Sequence, residues 1–122
     1  MKLMVPVESE SLDAPVCPSF GRTPFFAIYD TENDTYAFIS NEAEASQGGA
    51  GIKAAQILVD HGVAAIITYR LGENAAEVLH AAGIKIYKAE DGSIKKNIED
   101  YTADQLSILS ATHPGFHNHG GK

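Results

Sequence analysis

Apolar and polar residues change their spacing several times along this chain, and each change marks an element. Lys2–Val7 (KLMVPV) is an apolar run of strand length, in which Pro6 requires a place where no ladder N–H is needed. Glu8–Pro24 has no period and holds three prolines, Cys17 and Gly21, so it predicts a long loop of the kind that usually carries function. Phe25–Asp30 (FFAIYD) and Thr35–Ser40 (TYAFIS) are aromatic and β-branched around a polar Thr31–Asp34 turn, which predicts a hairpin. After the polar Asn41–Gln47, Gly48–Gly51 opens a helix running to about His61, with Ile52, Ala55 and Val59 as its apolar stripe. Gly62 suits the C′ position and His61 the negative helix end. Val63–Thr68 (VAAIIT) is continuously apolar, as a strand covered on both faces requires. Gly72–Ala75 leads into a second helix stopped by Gly83. Ile84–Tyr87 (IKIY) reads as an edge strand guarded by lysine. Asp91-Gly92 turns the chain, Ser93 caps a third helix ending near Tyr101, and Thr102–Gln105 has the spacing of a capping box that starts a last short helix.

The order strand-strand-strand-helix-strand-helix-strand-helix, with a meander first and two right-handed crossovers after it, predicts an α/β fold. One mixed five-stranded sheet in the order 3-2-1-4-5 carries helices on both faces. Its first and fourth strands are parallel neighbours at a topological switch point, where open α/β sheets bind ligands. Residues 1–110 form this single domain, and residues 111–122 (His113–Lys122, HPGFHNHGGK, at their core) form a flexible His/Gly-rich tail.

The chain has 122 residues, 44% of them apolar, which suits one domain and excludes general disorder. A single cysteine excludes an internal disulfide and points to a reducing compartment. The apolar stretch of MKLMVPVESE is about five residues, short of a secretory h-region. No run approaches the ~20 apolar residues of a membrane span. These features predict a cytoplasmic protein that does not bind a membrane. The net charge is −7 and no basic run exceeds Lys95–Lys96, which argues against a nucleic-acid partner.

Candidate chemistry gathers in the glycine-rich stretches. Gly48, Gly49, Ala50 and Gly51 expose backbone N–H groups at a helix start, where glycine allows close approach and the helix dipole favours anions. Gly49–Ala54 also fits G-x-G-x-x-A, but the preceding strand is distant and no acidic residue ends the next strand, so a dinucleotide site is excluded. Lys53 lacks the glycine spacing and following hydroxyl of a P-loop. Cys17 is a candidate thiolate ligand for iron, copper or molybdenum. Arg22 carries a planar donor fork for sulfide or oxyanion groups, an ion pair with Asp13 or Asp30 being its competing use. Arg70 follows the central strand and faces the same crevice or solvent. His113, His117 and His119 form H-x₃-H-x-H, a candidate transition-metal site on the tail. His61 and His80 lie on helices as structural or solvated residues. The aromatic residues of the hairpin are expected in the core. Two-metal nuclease chemistry needs several carboxylates on the sheet, whereas Lys2–Val7 has none and only Glu8 stands at its end.

Four segments carry a family resemblance. Ser19–Phe26 (SFGRTPFF) resembles HFGRAPYF, Gly48–Gly51 matches GGAG, Gly72–Ala75 (GENA) is similar to GPNA, and Ala82–Tyr87 (AGIKIY) resembles AGI-x-V-Y. In this order they resemble the dinitrogenase iron–molybdenum cofactor biosynthesis family, which includes NifX and NifY carriers and the C-terminal part of NifB. Ser19 stands where many members have His, and Glu73 where they have Pro. The resemblance covers about Met1 to Leu109 and implies a ribonuclease-H-like three-layer fold. It also implies non-covalent binding of an iron–sulfur or molybdenum-containing cluster, without catalysis, and cluster donor and acceptor proteins as partners. Gly72 and Asn74 then join Arg22, Gly48–Gly51 and Arg70 as candidate cofactor-binding residues. The alternative is a regulatory or interaction module that senses a small anion or a metal, with the histidine tail as its metal hook.

Overall fold

The computed structural model describes residues 1–45 and 48–109. The last residues of the Asn41–Gln47 loop and the tail with its expected metal ligands His113, His117 and His119 lie outside the described residues. β1 (Lys2–Val7), β2 (Phe25–Asp30) and β3 (Thr35–Ser40) form where the apolar runs place them. They are followed by α1 (Ala50–Asp60), β4 (Ala65–Thr68), α2 (Glu73–Ala81), β5 (Lys85–Lys88) and α3 (Ile94–Thr102). The strands make one mixed sheet in the order β3-β2-β1-β4-β5, as the sequence predicts. β1 pairs antiparallel with β2 and parallel with β4, so β1, β3 and β4 all point their C-terminal ends at one side of the molecule.

Alternation along β1 builds a core on each face of the sheet. Met4 faces one layer, where Phe26, Ile66 and Ile86 meet Leu58 of α1 and Leu79 of α2. Leu3, Val5 and Val7 face the other, where Ile67 meets Ile94 and Ile98 of α3 and Val16 of the long loop. Each fully buried aliphatic side chain is worth about 1.5–3 kcal/mol, so these layers outweigh the modest propensity of four-residue strands such as β4. Pro6 fits because its carbonyl accepts the Cys17 N–H at 2.9 Å, on the side away from β2 and beyond the β1 residues that pair with β4. The missing N–H falls on that same side.

Three expectations change. The Thr102–Gln105 capping box starts no helix. Thr102 belongs to the end of α3 and its hydroxyl donates back to the Ile98 carbonyl at 3.0 Å. Asp104 takes a left-handed conformation (φ 61), its N–H donating to the Tyr101 carbonyl and that of Gln105 to the Asp100 carbonyl, which closes a Schellman motif. The stripe of α1 is rotated: Ala50, Ala54, Ala55 and Leu58 are buried, and Ile52 is 41% exposed. The edge strand β5 is not guarded by lysine alone. Lys88 N–H donates to the Ser107 carbonyl and Leu109 N–H to the Ile86 carbonyl, so residues 107–109 cover it.

Candidate functional site

Three segments meet where β1, β3 and β4 end. The long loop after β1 brings Pro18–Arg22, the chain after β3 brings Gly48–Ile52, and the chain after β4 brings Arg70–Ala75; together they line a cavity of ≈ 640 Å³. The segments are in direct contact. A Cβ on Gly21 would stand 2.8 Å from the Gly51 backbone nitrogen, and a Cβ on Gly51 would stand 3.5 Å from the Ala75 Cβ. The loop therefore reaches the first turn of α1 only because residue 21 has no side chain.

The cavity wall contains the first turns of two helices. Gly49 starts α1 in a left-handed conformation (φ 70), and Gly72 starts α2 in an extended one. Neither helix has a side-chain cap, and the first intrahelical bonds run from Lys53 N–H to the Gly49 carbonyl and from Ala76 N–H to the Gly72 carbonyl. The N–H groups before them have no partner inside their helices, and both dipoles present positive ends to the same space. Arg22 and Arg70 add guanidinium groups to the lining, while Glu73 adds a carboxylate in the first turn of α2.

The loops are braced from below. Asn41, 4% exposed, donates from Nδ2 to the Gly21 carbonyl at 2.9 Å and the Thr23 carbonyl at 2.8 Å, and its Oδ1 accepts the Ala43 N–H. Thr23, buried, donates to the Val7 carbonyl at 2.8 Å and so ties the loop to the end of β1. Arg22 Nη1 donates to the Glu44 carbonyl at 2.7 Å, so the guanidinium joins the loop to the chain beyond β3.

Eight residues singled out in the sequence, Arg22, Gly48, Gly49, Ala50, Gly51, Arg70, Gly72 and Asn74, line this one cavity. Cys17 does not: it is 5% exposed and absent from the lining, although its neighbour Pro18 belongs to it. Among the described residues, no group of three or more His, Cys, Asp or Glu gathers as a metal would need. Sequence reasoning missed Pro18, Phe20, Gly21, Ile52, Leu71 and Ala75 in the lining and Asn41 beneath it. The exposure of Ile52 was hidden by its helical spacing. Asn41 had a signal, since an asparagine after a strand can close a turn on its own backbone two residues on, as it does with Ala43.

The donors, backbone N–H and guanidinium, suit an anion, held by its outer sulfur or oxygen atoms. Glu73 is the one carboxylate among the lining residues, against two arginines. Among the described residues no helix is long and apolar enough to cross a membrane.

Comparison with known proteins agrees with this architecture. A family model described as dinitrogenase iron-molybdenum cofactor matches residues 1–104. An uncharacterized protein of Methanocaldococcus jannaschii is 32% identical over 109 residues, 87% of this chain and 89% of that one. The apo form of the orange protein from Desulfovibrio gigas superimposes with a TM-score of 0.85 at 28% identity, covering 90% of this chain and 93% of that one. A Thermotoga protein whose NifB designation is provisional gives a TM-score of 0.79 at 33% identity, covering 98% of each chain. The chain belongs to the dinitrogenase iron-molybdenum cofactor family.

Proposed function

We propose that the protein is a carrier or scaffold for an anionic metal–sulfur cargo, an iron–sulfur or molybdenum-containing cluster or its precursor, and that it catalyses no reaction. The observation that carries this reading is the convergence of two uncapped helix starts and two arginines on one cavity of ≈ 640 Å³. The cargo is held through its outer sulfide atoms by N–H donors, without a protein ligand to the metal, so it loads and leaves intact. Cluster donor and acceptor proteins are its partners, in a reducing cytoplasm. The buried Cys17 is assigned a packing role in the loaded state, and the tail beyond residue 110 a separate metal-binding role through His113, His117 and His119.

The test is an anaerobic titration of the full chain with tetrathiomolybdate and, separately, with an iron–sulfur cluster, followed by visible absorbance and co-elution. Stoichiometric co-elution that Arg70→Ala weakens, and that Cys17→Ser and removal of residues 111–122 leave unchanged, is the expected result. Failure of both species to co-elute would overturn the carrier reading. Sulfate or phosphate binding as tightly as the metal–sulfur species would replace it with the small-anion sensor.

A further inference from the structure

The sheet ends differently at its two edges. Residues 107–109 cover β5, but β3 pairs only with β2, and among the described residues no backbone hydrogen bond reaches its outer side. The Asn41 N–H donates to the Pro24 carbonyl at 2.9 Å, toward β2. Alternation therefore turns Thr35, Ala37 and Ile39 toward β2, and aims the N–H and C=O groups of Tyr36, Phe38 and Ser40 outward. β3 has no proline and no charged residue, so it lacks the usual devices that keep an edge from pairing.

Charge surrounds this edge at both ends. From Thr23 through Ile52 the sequence carries Asp30, Glu32, Asp34, Glu42 and Glu44, and no Lys, Arg or His. In space the Met1 ammonium stands 3.7 Å from Glu32 and the Arg22 guanidinium reaches the Glu44 carbonyl, so Asp34 and Glu42 are the carboxylates that count. Asp34 immediately precedes β3, Glu42 and Glu44 closely follow it, and all three are exposed. A second copy of the chain fits poorly. Two-fold antiparallel pairing centred on Phe38 sets Tyr36 against Ser40, and it then sets Asp34 against the Glu42 of the second copy at each end. Like charges directly opposite destabilise a strand pair.

We infer that β3 is a docking edge for an extended segment of another protein, which adds as a sixth strand and carries uncharged residues in its middle and Lys or Arg at both ends. Main-chain bonds to Tyr36, Phe38 and Ser40 supply the affinity, and the flanking carboxylates select the basic ends and repel self-pairing. The location suits a transfer partner. β3 runs directly into Asn41, whose side chain holds the Gly21 and Thr23 carbonyls beneath the cavity, so the end of a docked strand lies next to the loops that line it. The surface itself does not depend on which cargo the cavity holds.

The test uses the ¹⁵N-labelled full chain and a synthetic peptide of alternating Thr and Val with two lysines at each end. The expected result is shifts and slowed exchange at the amides of Tyr36, Phe38 and Ser40. Replacing the peptide's lysines by glutamates should weaken binding about tenfold, the scale of a few exposed ion pairs turned repulsive. Asp34→Lys with Glu42→Lys should reverse that preference. Ser40→Pro deletes an outward N–H and leaves the β2 ladder whole, so it should weaken binding while a thermal melt shows the fold retained. Shifts confined to other surfaces, equal binding of a peptide N-methylated at alternate amides, or β3 protection that grows with protein concentration without peptide would each overturn the proposal.

Discussion

Gly21→Ala tests whether the cavity depends on the contact between the long loop and α1. The new Cβ would stand 2.8 Å from the Gly51 nitrogen, 2.9 Å from the Gly51 Cα and 3.1 Å from the Ala50 carbonyl carbon. Non-bonded heavy atoms prefer about 3.5–4.0 Å, so the loop and the helix must separate by several tenths of an ångström. All three obstructing atoms are backbone, and no side chain can swing away to make room. Overpacking of this kind costs about 1–3 kcal/mol. For a domain near one hundred residues that lowers Tm by roughly 5–15 °C. The shift also pulls on the bond from Asn41 Nδ2 to the Gly21 carbonyl, so the disturbance should spread to the Thr23 and Ala43 amides. Thermal and urea unfolding give the stability change, and an amide spectrum locates it. A Tm within about 2 °C of the parent, with the amides of residues 41–43 and 50–52 unmoved, would refute the reasoning.

Within the glycine-rich stretch the structure separates two roles. Gly49→Ala should cost about 1–2 kcal/mol, because φ is 70 there, whereas Gly51→Ala should be neutral or gain up to about 1 kcal/mol, because its Cβ meets only the Ala75 Cβ at 3.5 Å; urea midpoints compare them. Asn41→Ala should cost about 2–4 kcal/mol by leaving the Gly21 and Thr23 carbonyls and the Ala43 N–H without their partner, measured the same way. The Asp30 carboxyl is held below its ordinary range by the Glu32 N–H, with Asn33 also donating to it. A depressed folded pKa gives stability that is present above the unfolded value near 3.9 and lost as pH falls through the folded value. Asp30→Asn should therefore flatten the acid side of the stability profile below about pH 4 and leave the neutral side's slope unchanged.

What the sequence disclosed, and what it hid, follows from the range of the interactions involved. β1, β2 and β3 end where their apolar runs end, because β-propensity and the polar turn act within a few residues. The sheet order follows from connection rules that need only the sequence of elements. The glycine and arginine lining was legible because glycine at a helix start has a local meaning. The contact of Gly21 with Gly51 spans thirty residues, and the bracing of Gly21 and Thr23 by Asn41 spans about twenty, so neither leaves a local pattern. The false helix at Thr102 arose because a capping box and a Schellman ending share polar residues at close spacing. Asp104 adopts the left-handed turn that glycine takes after the other two helices, and composition does not announce it. Ile52 has the spacing of a core residue, yet the cavity forms at that end of α1 and leaves it exposed.

α1, α2 and α3 differ at their starts. α3 is capped: the Ser93 hydroxyl accepts the Lys96 N–H at 3.0 Å. α1 and α2, whose first turns share the cavity wall, begin with Gly49 and Gly72 and have no side-chain cap. The fold therefore caps the helix outside the cavity and leaves bare the two that line it. Gly72 has the extended backbone (φ −74, ψ 155) that a capping residue needs. In Gly72→Ser the hydroxyl should accept the Asn74 or Ala75 N–H, which raises stability by a few tenths of a kcal/mol. It also removes a donor from the cavity without changing any charge, so thiomolybdate binding should weaken as stability rises. Opposite signs in a melt and a titration are not produced by a general loss of structure. If Gly72→Ser stabilises the protein and binds thiomolybdate as tightly as the parent, the free N–H groups of α2 do not hold the cargo. The N–H groups at the start of α1 and the Arg70 guanidinium would then remain as anion donors in the wall.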